Sequence, residues 1–230
     1  MHISVLITTY NRSAFLRLCL LGYLQQSQGN FEIVVSDDGS DDNTPVVVDE
    51  FRQKAPFPVR YLWQRDRGHR RTLAINRAVA AARDPWLLFT DSDSIPRHDL
   101  VEIHRQAAAP RRLLCGGRVL LDRDYTRRLT PENILTGRFE NALTFTQRLA
   151  LWRLHLKNLF YIAINKRRRP HNYGVNMSCS KEAMERINGY DQNFRGWGNA
   201  DGDVRDRLRK VGIEPKSIYH RAFIFHQWHQ

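Results

Sequence analysis

Through the first hundred positions, apolar residues come in short runs, and each run ends in a polar cluster. Ile3-Ser4-Val5-Leu6-Ile7 leads into Thr8-Thr9-Tyr10-Asn11-Arg12, and Phe31-Glu32-Ile33-Val34-Val35 into Ser36-Asp37-Asp38-Gly39-Ser40-Asp41-Asp42. Val59 to Trp63 leads into a basic loop, Arg65 to Arg71, and Trp86-Leu87-Leu88-Phe89-Thr90 into Asp91-Ser92-Asp93. Runs this short and this continuously apolar predict buried strands. Between them apolar residues recur at helical spacing. That pattern predicts helices over Ser13–Leu24, with Ser13 as N-cap, over Thr44–Lys54, with Pro45 at the first position, and over the alanine-rich Leu73–Ala82.

Strands alternating with helices predict an α/β fold: a mostly parallel sheet flanked by helices on both faces. In such sheets ligands bind beyond the carboxyl ends of the strands. The polar clusters at Thr9, Asp38 and Asp91/Asp93 all fall at those ends. The second half is less regular. Leu113–Leu121 reads as a strand or strand pair, Leu143–Ile164 as an amphipathic helix, and Asn165 to His171 as a basic loop. Gly174–Ser180 returns to strand character. Lys181–Ile187 and Asp203–Val211 read as helices, the latter ended by Gly212, and Ala222–Phe225 as a last strand. Without a repeat, a low-complexity tract or a clean linker, the expectation over residues 1–230 is one domain: a nucleotide-binding half, residues 1–100, and an acceptor-side half, residues 101–230.

Composition changes this picture in one respect. The 230 residues carry a formal net charge of +12, which favours anionic partners such as nucleotides, phosphorylated glycolipids, nucleic acid or an acidic membrane. Three widely spaced cysteines, Cys19, Cys115 and Cys179, form no CxxC pair. Reduced buried thiols in a cytoplasmic protein are the expectation. No stretch reaches the roughly 20 apolar residues of a membrane-spanning helix, and no signal peptide is expected.

Four groups carry candidate chemistry. Alternate residues at a strand end aim Asp91 and Asp93 at one point, where hard oxygen ligands suit Mg²⁺ or Mn²⁺; a solvated turn is the plain alternative. Asp38, also at a strand end, can accept a hydrogen bond from a base N–H, or merely shape a turn. In Gly196-Trp197-Gly198-Asn199-Ala200-Asp201 the glycines permit close backbone approach and Trp197 can stack on a sugar. Asp201 sits at a helix start that keeps it ionised and able to act as a general base, or is only an N-cap. His226 and His229 in the tail can ligate a metal as neutral imidazoles, although most of the nine histidines must do nothing of the kind.

Taken in order, these residues resemble glycosyltransferase family 2, with its Rossmann-like GT-A fold, nearly end to end. Val5 to Arg12 looks like the family's first strand and nucleotide loop, which implies donor contacts for Thr8, Thr9, Tyr10 and Arg12. Glu32 to Ser40 resembles the second, with Asp38 on a uracil-type base. Gly68 to Ala78 resembles the segment that touches diphosphate and base, with Arg70 and Arg71 as phosphate contacts. Asp91-Ser92-Asp93 stands where the family has its DxD metal motif. Asn176-Met177-Ser178, Ile187 to Asp191 and the GWG run look like the galactosyltransferase-type C-terminal region seen in chondroitin-polymerase-like enzymes. That likeness makes Asn176, Gly196, Trp197 and Gly198 acceptor or sugar contacts and Asp201 the catalytic base. Ala200 stands where the family has an acid, and Ile75 where an arginine is frequent.

The resemblance implies an inverting, metal-dependent transferase. It would move a sugar from a nucleotide diphosphate, UDP first among them, to a hydroxyl of a glycan, glycolipid or polysaccharide, lipopolysaccharide included. The metal would be Mn²⁺ or Mg²⁺ on Asp91, Asp93 and a tail histidine. The protein is expected in the cytoplasm, with a peripheral place at the anionic inner face of the cell membrane as a reading of the basic run Lys166–Arg169; a solvated helix end is the plain reading of that run. The rivals are a catalytically weak sugar-binding relative, suggested by Ala200, and a nucleic-acid-binding module, which the +12 charge alone would allow but which needs no aligned strand-end acids.

Overall fold

The computed structural model describes residues 1–166, 168–171, 174–194 and 199–229. Along the chain, β1 (Ile3–Thr9), α1 (Ser13–Leu24), β2 (Phe31–Asp37), α2 (Thr44–Arg52), β3 (Val59–Trp63), α3 (Arg71–Ala81) and β4 (Trp86–Asp91) form the predicted alternation. Then come β5 (Ser94–Pro96), α4 (Leu100–Ala107), β6 (Arg112–Cys115), β7 (Gly117–Leu120), α5 (Arg123–Arg128), α6 (Pro131–Leu135) and a 3₁₀ turn, Arg138–Ala142. The chain ends with α7 (Phe145–Ala163), β8 (Met177–Ser180), α8 (Lys181–Arg186), α9 (Ala200–Lys210), β9 (Glu214–Ser217) and β10 (Phe223–His226).

A seven-stranded sheet runs β3-β2-β1-β4-β8-β6-β9. β3, β2, β1 and β4 are parallel, and β8 lies antiparallel to both β4 and β6. A smaller sheet, β5-β10-β7, stands at the end where β4 stops. The mostly parallel sheet flanked by helices expected from the sequence is the one observed. Alternate residues of β1 and β2 feed opposite faces. Val5, Ile7, Ile33 and Val35 pack under α1, α2 and α4, whereas Leu6 and Val34 pack under α3, α8 and α9. A third cluster, with Val119, Ile134, Phe139, Leu151 and Phe225, seats α6 and α7 on the small sheet. All three cysteines are buried and unbridged, and no helix among the described residues is long and apolar enough to cross a membrane.

Several boundaries differ from the pattern. Ser13 is the first residue of α1 rather than its cap. The helix starts without a side-chain cap on Arg12, and Ser13 N–H instead donates to Asp42, 2.9 Å away. α3 begins at Arg71, two residues earlier than periodicity suggests, because polar Arg71 and Thr72 carry no apolar signal. α9 begins at Ala200 for the same reason. β5 and β9 are too short to show in a hydropathy pattern, α4 is an amphipathic helix with Leu100, Val101 and Ile103 buried that the reading of the pattern passes over, and Gly174 to Asn176 precede β8 rather than belonging to it.

Asn176 is the clearest departure. It is fully buried. Its amide nitrogen donates to the carbonyls of Gly117 (2.7 Å) and Ala222 (3.2 Å), and its oxygen lies 2.9 Å from His104 Nε2. With every hydrogen-bonding atom used and no exposed surface, it is a staple between the two sheets and not a sugar contact. The packing is close: a Cβ on Gly116 would come within 2.4 Å of that amide. Burial lowers the His104 pKa to about 4, so this ring is neutral and adds no charge to the network. Asn176→Leu is expected to destabilise the fold by about 2–4 kcal/mol, since it leaves the buried His104 Nε2 without its partner and removes a donor from each of two buried carbonyls; a denaturant melt measures it.

Candidate active site

The carboxyl ends of β1, β2 and β4 lie level, because Thr9 pairs with Asp37 and Thr8 with Asp91 in the parallel ladders. Their loops therefore share one rim of the sheet. Asp37 and Asp38 divide the work there. Asp37 is fully buried; it accepts from Gly39 N (3.0 Å), Ser40 N (2.8 Å) and Tyr61 Oη (2.6 Å), and so holds the loop. Gly39 needs its φ of +106°, and a Cβ there would meet the Asp66 backbone at 2.5 Å. Asp38 faces the other way, accepting from Gln64 Nε2 (2.5 Å) and Arg70 N (2.6 Å). Tyr10 is exposed above this loop, its hydroxyl 2.9 Å from Asp66. Thr9 is buried and accepts at its carbonyl from Asp38 N. Arg70 donates its side chain to the Arg65 carbonyl.

The next residue, Arg71, connects three elements. From the first turn of α3 its guanidinium reaches Asp91 at the end of β4 (2.9 Å) and Asp201 in the first turn of α9 (3.7 Å). Burial alone would lower its pKa, but the two anions, Asp91 foremost, hold it above the ordinary arginine value. Asp91 also accepts from Thr8 Oγ1 at 2.5 Å. Asp201 is the second residue of α9, after the cap position Asn199, so it is not an N-cap. Its carboxylate is fixed by Tyr190 Oη (2.9 Å) and Gly174 N (3.0 Å). Burial, then Asp201, pushes the Tyr190 pKa well up, so the phenol stays protonated and donates. The last two partners had no periodic signal; only the Ile187–Asp191 motif hinted at Tyr190.

Asp93 heads a second group. His229 Nε2 stands 3.0 Å and His226 Nε2 3.5 Å from its carboxylate, and Arg12 lies 3.7 Å away. β10 brings the tail here by pairing with β5, with His226 opposite Ser94, and Gln227 N donates to the Asp93 carbonyl at 2.9 Å. One ligand atom each from Asp93, His226 and His229 lie within 4.8 Å of one another. A carboxylate with two imidazoles is a donor set that suits Mn²⁺ and its neighbours. Burial, only partly opposed by Asp93, lowers the His226 pKa and leaves a neutral ring with a lone pair to give. Asp91 lies outside this cluster, engaged with Arg71 and Thr8 instead. Ser92, between the two acids, is buried and ties β4 to β1 through its N–H to the Thr8 carbonyl, 3.0 Å. Gly196, Trp197 and Gly198 lie outside the described residues.

The chain matches the family model "Glycosyl transferase family 2" over residues 4–187 and "N-terminal domain of galactosyltransferase" over residues 158–229. It is 29% identical to validoxylamine A glucosyltransferase of Streptomyces hygroscopicus subsp. jinggangensis, over 92% of this chain and 52% of that protein. It is 25% identical to chondroitin synthase of Escherichia coli, over 98% of this chain and 34% of that protein. The chain thus spans about half, or less, of these relatives' length. Its fold is similar to that of S. aureus TarS 1–349 in complex with UDP-GlcNAc (TM-score 0.70, 15% identity, 100% of this chain, 59% of that one). It is also similar to mannosyltransferase PcManGT from Pyrobaculum calidifontis in complex with GDP-Man and Mn²⁺ (TM-score 0.69, 19% identity, 98% and 56%).

Proposed function

The chain belongs to glycosyltransferase family 2, and from that premise we propose that it is an inverting glycosyltransferase that uses a UDP-sugar and a divalent metal. The acceptor is a hydroxyl of a glycan, glycolipid or polysaccharide. The observation that carries the proposal is the span of Arg71, which ties the acid of the α9 first turn to the acid that ends β4, two residues from the Asp93–His226–His229 group. A general base and a metal-type donor set thus border one rim, at the place where open α/β sheets bind ligands.

In the proposed reaction, Asp38 and the Tyr10 ring receive the base, and Arg70, Arg71 and Arg12 face the diphosphate. Asp201 takes the proton of the acceptor hydroxyl as that oxygen bonds to the anomeric carbon. The bond from that carbon to the diphosphate breaks, and the nucleoside diphosphate leaves with its electron pair. A single displacement inverts the configuration. Tyr190, Gly174 N–H and Arg71 keep the Asp201 carboxylate oriented. Mn²⁺ or Mg²⁺, held by Asp93 with His226 and His229, would neutralise charge on the leaving diphosphate. A nucleotide-release assay over a panel of nucleotide sugars, with and without Mn²⁺, tests this: metal-dependent release from one UDP-sugar is expected. Release from none, or equal release with and without metal, would overturn it. Proton NMR of the product reads the inverted anomeric configuration.

A further inference from the structure

Helix α7 is built inside out. The residues it buries include the polar His155 and Asn158 alongside Leu151, and His155 Nδ1 lies 3.0 Å from Ser217 Oγ beneath it. Its large apolar residues face solvent: Phe145, Leu149, Trp152, Leu156, Leu159 and Phe160 are all exposed, Phe145 by 78% and Phe160 by 59%. Their spacing places them along one flank, beside the face that carries Leu151, His155 and Asn158. Over nineteen residues that flank is about 28 Å long at 1.5 Å per residue. Scattered exposed leucines need no explanation, but a continuous stripe of this length does.

The charge around the stripe restricts what can cover it. Arg148, Arg153 and Lys157 are exposed along its margins, and Lys166 and Arg168 follow beyond the helix end. No Asp or Glu occurs between Glu140 and Glu182. A second copy paired through this flank would set cation against cation with no acid in the segment to relieve them. A surface both apolar and anionic meets both requirements. An exposed helix flank with Trp and Phe among leucines, edged by Arg and Lys, has the character of a helix lying in a membrane interface.

We propose that the outer flank of α7 docks the protein on an anionic lipid bilayer. Phe145, Trp152, Leu156 and Phe160 enter the boundary between headgroups and acyl chains, and the flanking cations lie on lipid phosphates. Docking requires no nucleotide sugar, so it stands or falls independently of the transferase reading.

Vesicle sedimentation tests it, with neutral phosphatidylcholine alone or mixed with phosphatidylglycerol, at low and at high salt. The wild-type protein is expected to bind the anionic vesicles at low salt and at least about tenfold more weakly to neutral vesicles or at high salt, as screening requires. Phe145→Ser combined with Leu156→Ser should abolish binding with an unchanged melting temperature, since both side chains are exposed. Should that variant fail to fold, Arg148→Gln with Arg153→Gln and Lys157→Gln is expected to bring binding down to the neutral-vesicle level. Brominated acyl chains should quench fluorescence in the wild type and less in Trp152→Phe. Equal affinity for neutral and anionic vesicles, no binding to either, or binding untouched by the substitutions would overturn the proposal. So would a wild-type dimer in light scattering that the serine variant dissolves, or firm binding to poly-glutamate without bromine quenching.

Discussion

Asp201→Asn is expected to lower kcat about 10²- to 10⁴-fold, the usual worth of a positioned general base. The amide has the same shape: its oxygen can keep the bond from the Gly174 N–H, and its NH2 can donate to the Tyr190 hydroxyl oxygen, which in the wild type donates to the other carboxylate oxygen. Arg71 retains its closer partner Asp91. The capacity to take a proton is lost together with the more distant of the two charges facing Arg71, so donor affinity should stay within a factor of about three, the pattern of an interaction made in the transition state alone. Steady-state transfer and isothermal titration with the UDP-sugar measure the two quantities. Comparable turnover would remove Asp201 from the role; a parallel loss of donor affinity would make it a structural anion for Arg71 instead.

Asp93→Ala is expected to weaken Mn²⁺-dependent nucleotide binding by at least about 100-fold, because partners outside the ligand set already cost 10–100-fold in metal affinity. It removes the one carboxylate of the cluster and leaves two imidazoles, while Arg12 loses its neighbour. Binding without metal should change little, since the base contacts proposed for Asp38 and Tyr10 are untouched. Calorimetry with UDP, with and without MnCl₂, separates these terms. An unchanged metal effect in the variant would dismiss the cluster as the metal centre.

The first half of the fold was legible because β1, β2 and β4 are buried on both faces and read as nearly unbroken apolar runs. Its strand-end clusters then located Asp38, Asp91 and Asp93 without further information. The second half was less legible where short elements such as β5 and β9 owe their pairing to tertiary contacts rather than to local pattern. The role of Asn176 illustrates the limit. A polar residue beside a strand looks the same in sequence whether it faces a ligand or, as here, two backbone carbonyls and a buried imidazole. Asp91 and Asp93 diverge for a related reason: a DxD spacing fixes which residues are near a strand end, but Arg71 and the tail histidines, from α3 and beyond β10, decide what each carboxylate meets. The inversion of α7 was not visible either. Its amphipathic period is plain, but a period does not say which face turns inward, and His155 with Asn158 marks the core side here.

The convergence of Asp38, Asp93 and Asp201 on one donor is tested most directly by a crystal structure with UDP and Mn²⁺, using manganese anomalous scattering. The expected map has a single strong peak among Asp93, His226 and His229, the diphosphate against it, uracil at Asp38, and Asp201 facing the open side of the diphosphate. A manganese peak away from those three side chains, or uracil bound elsewhere than at Asp38, would contradict it.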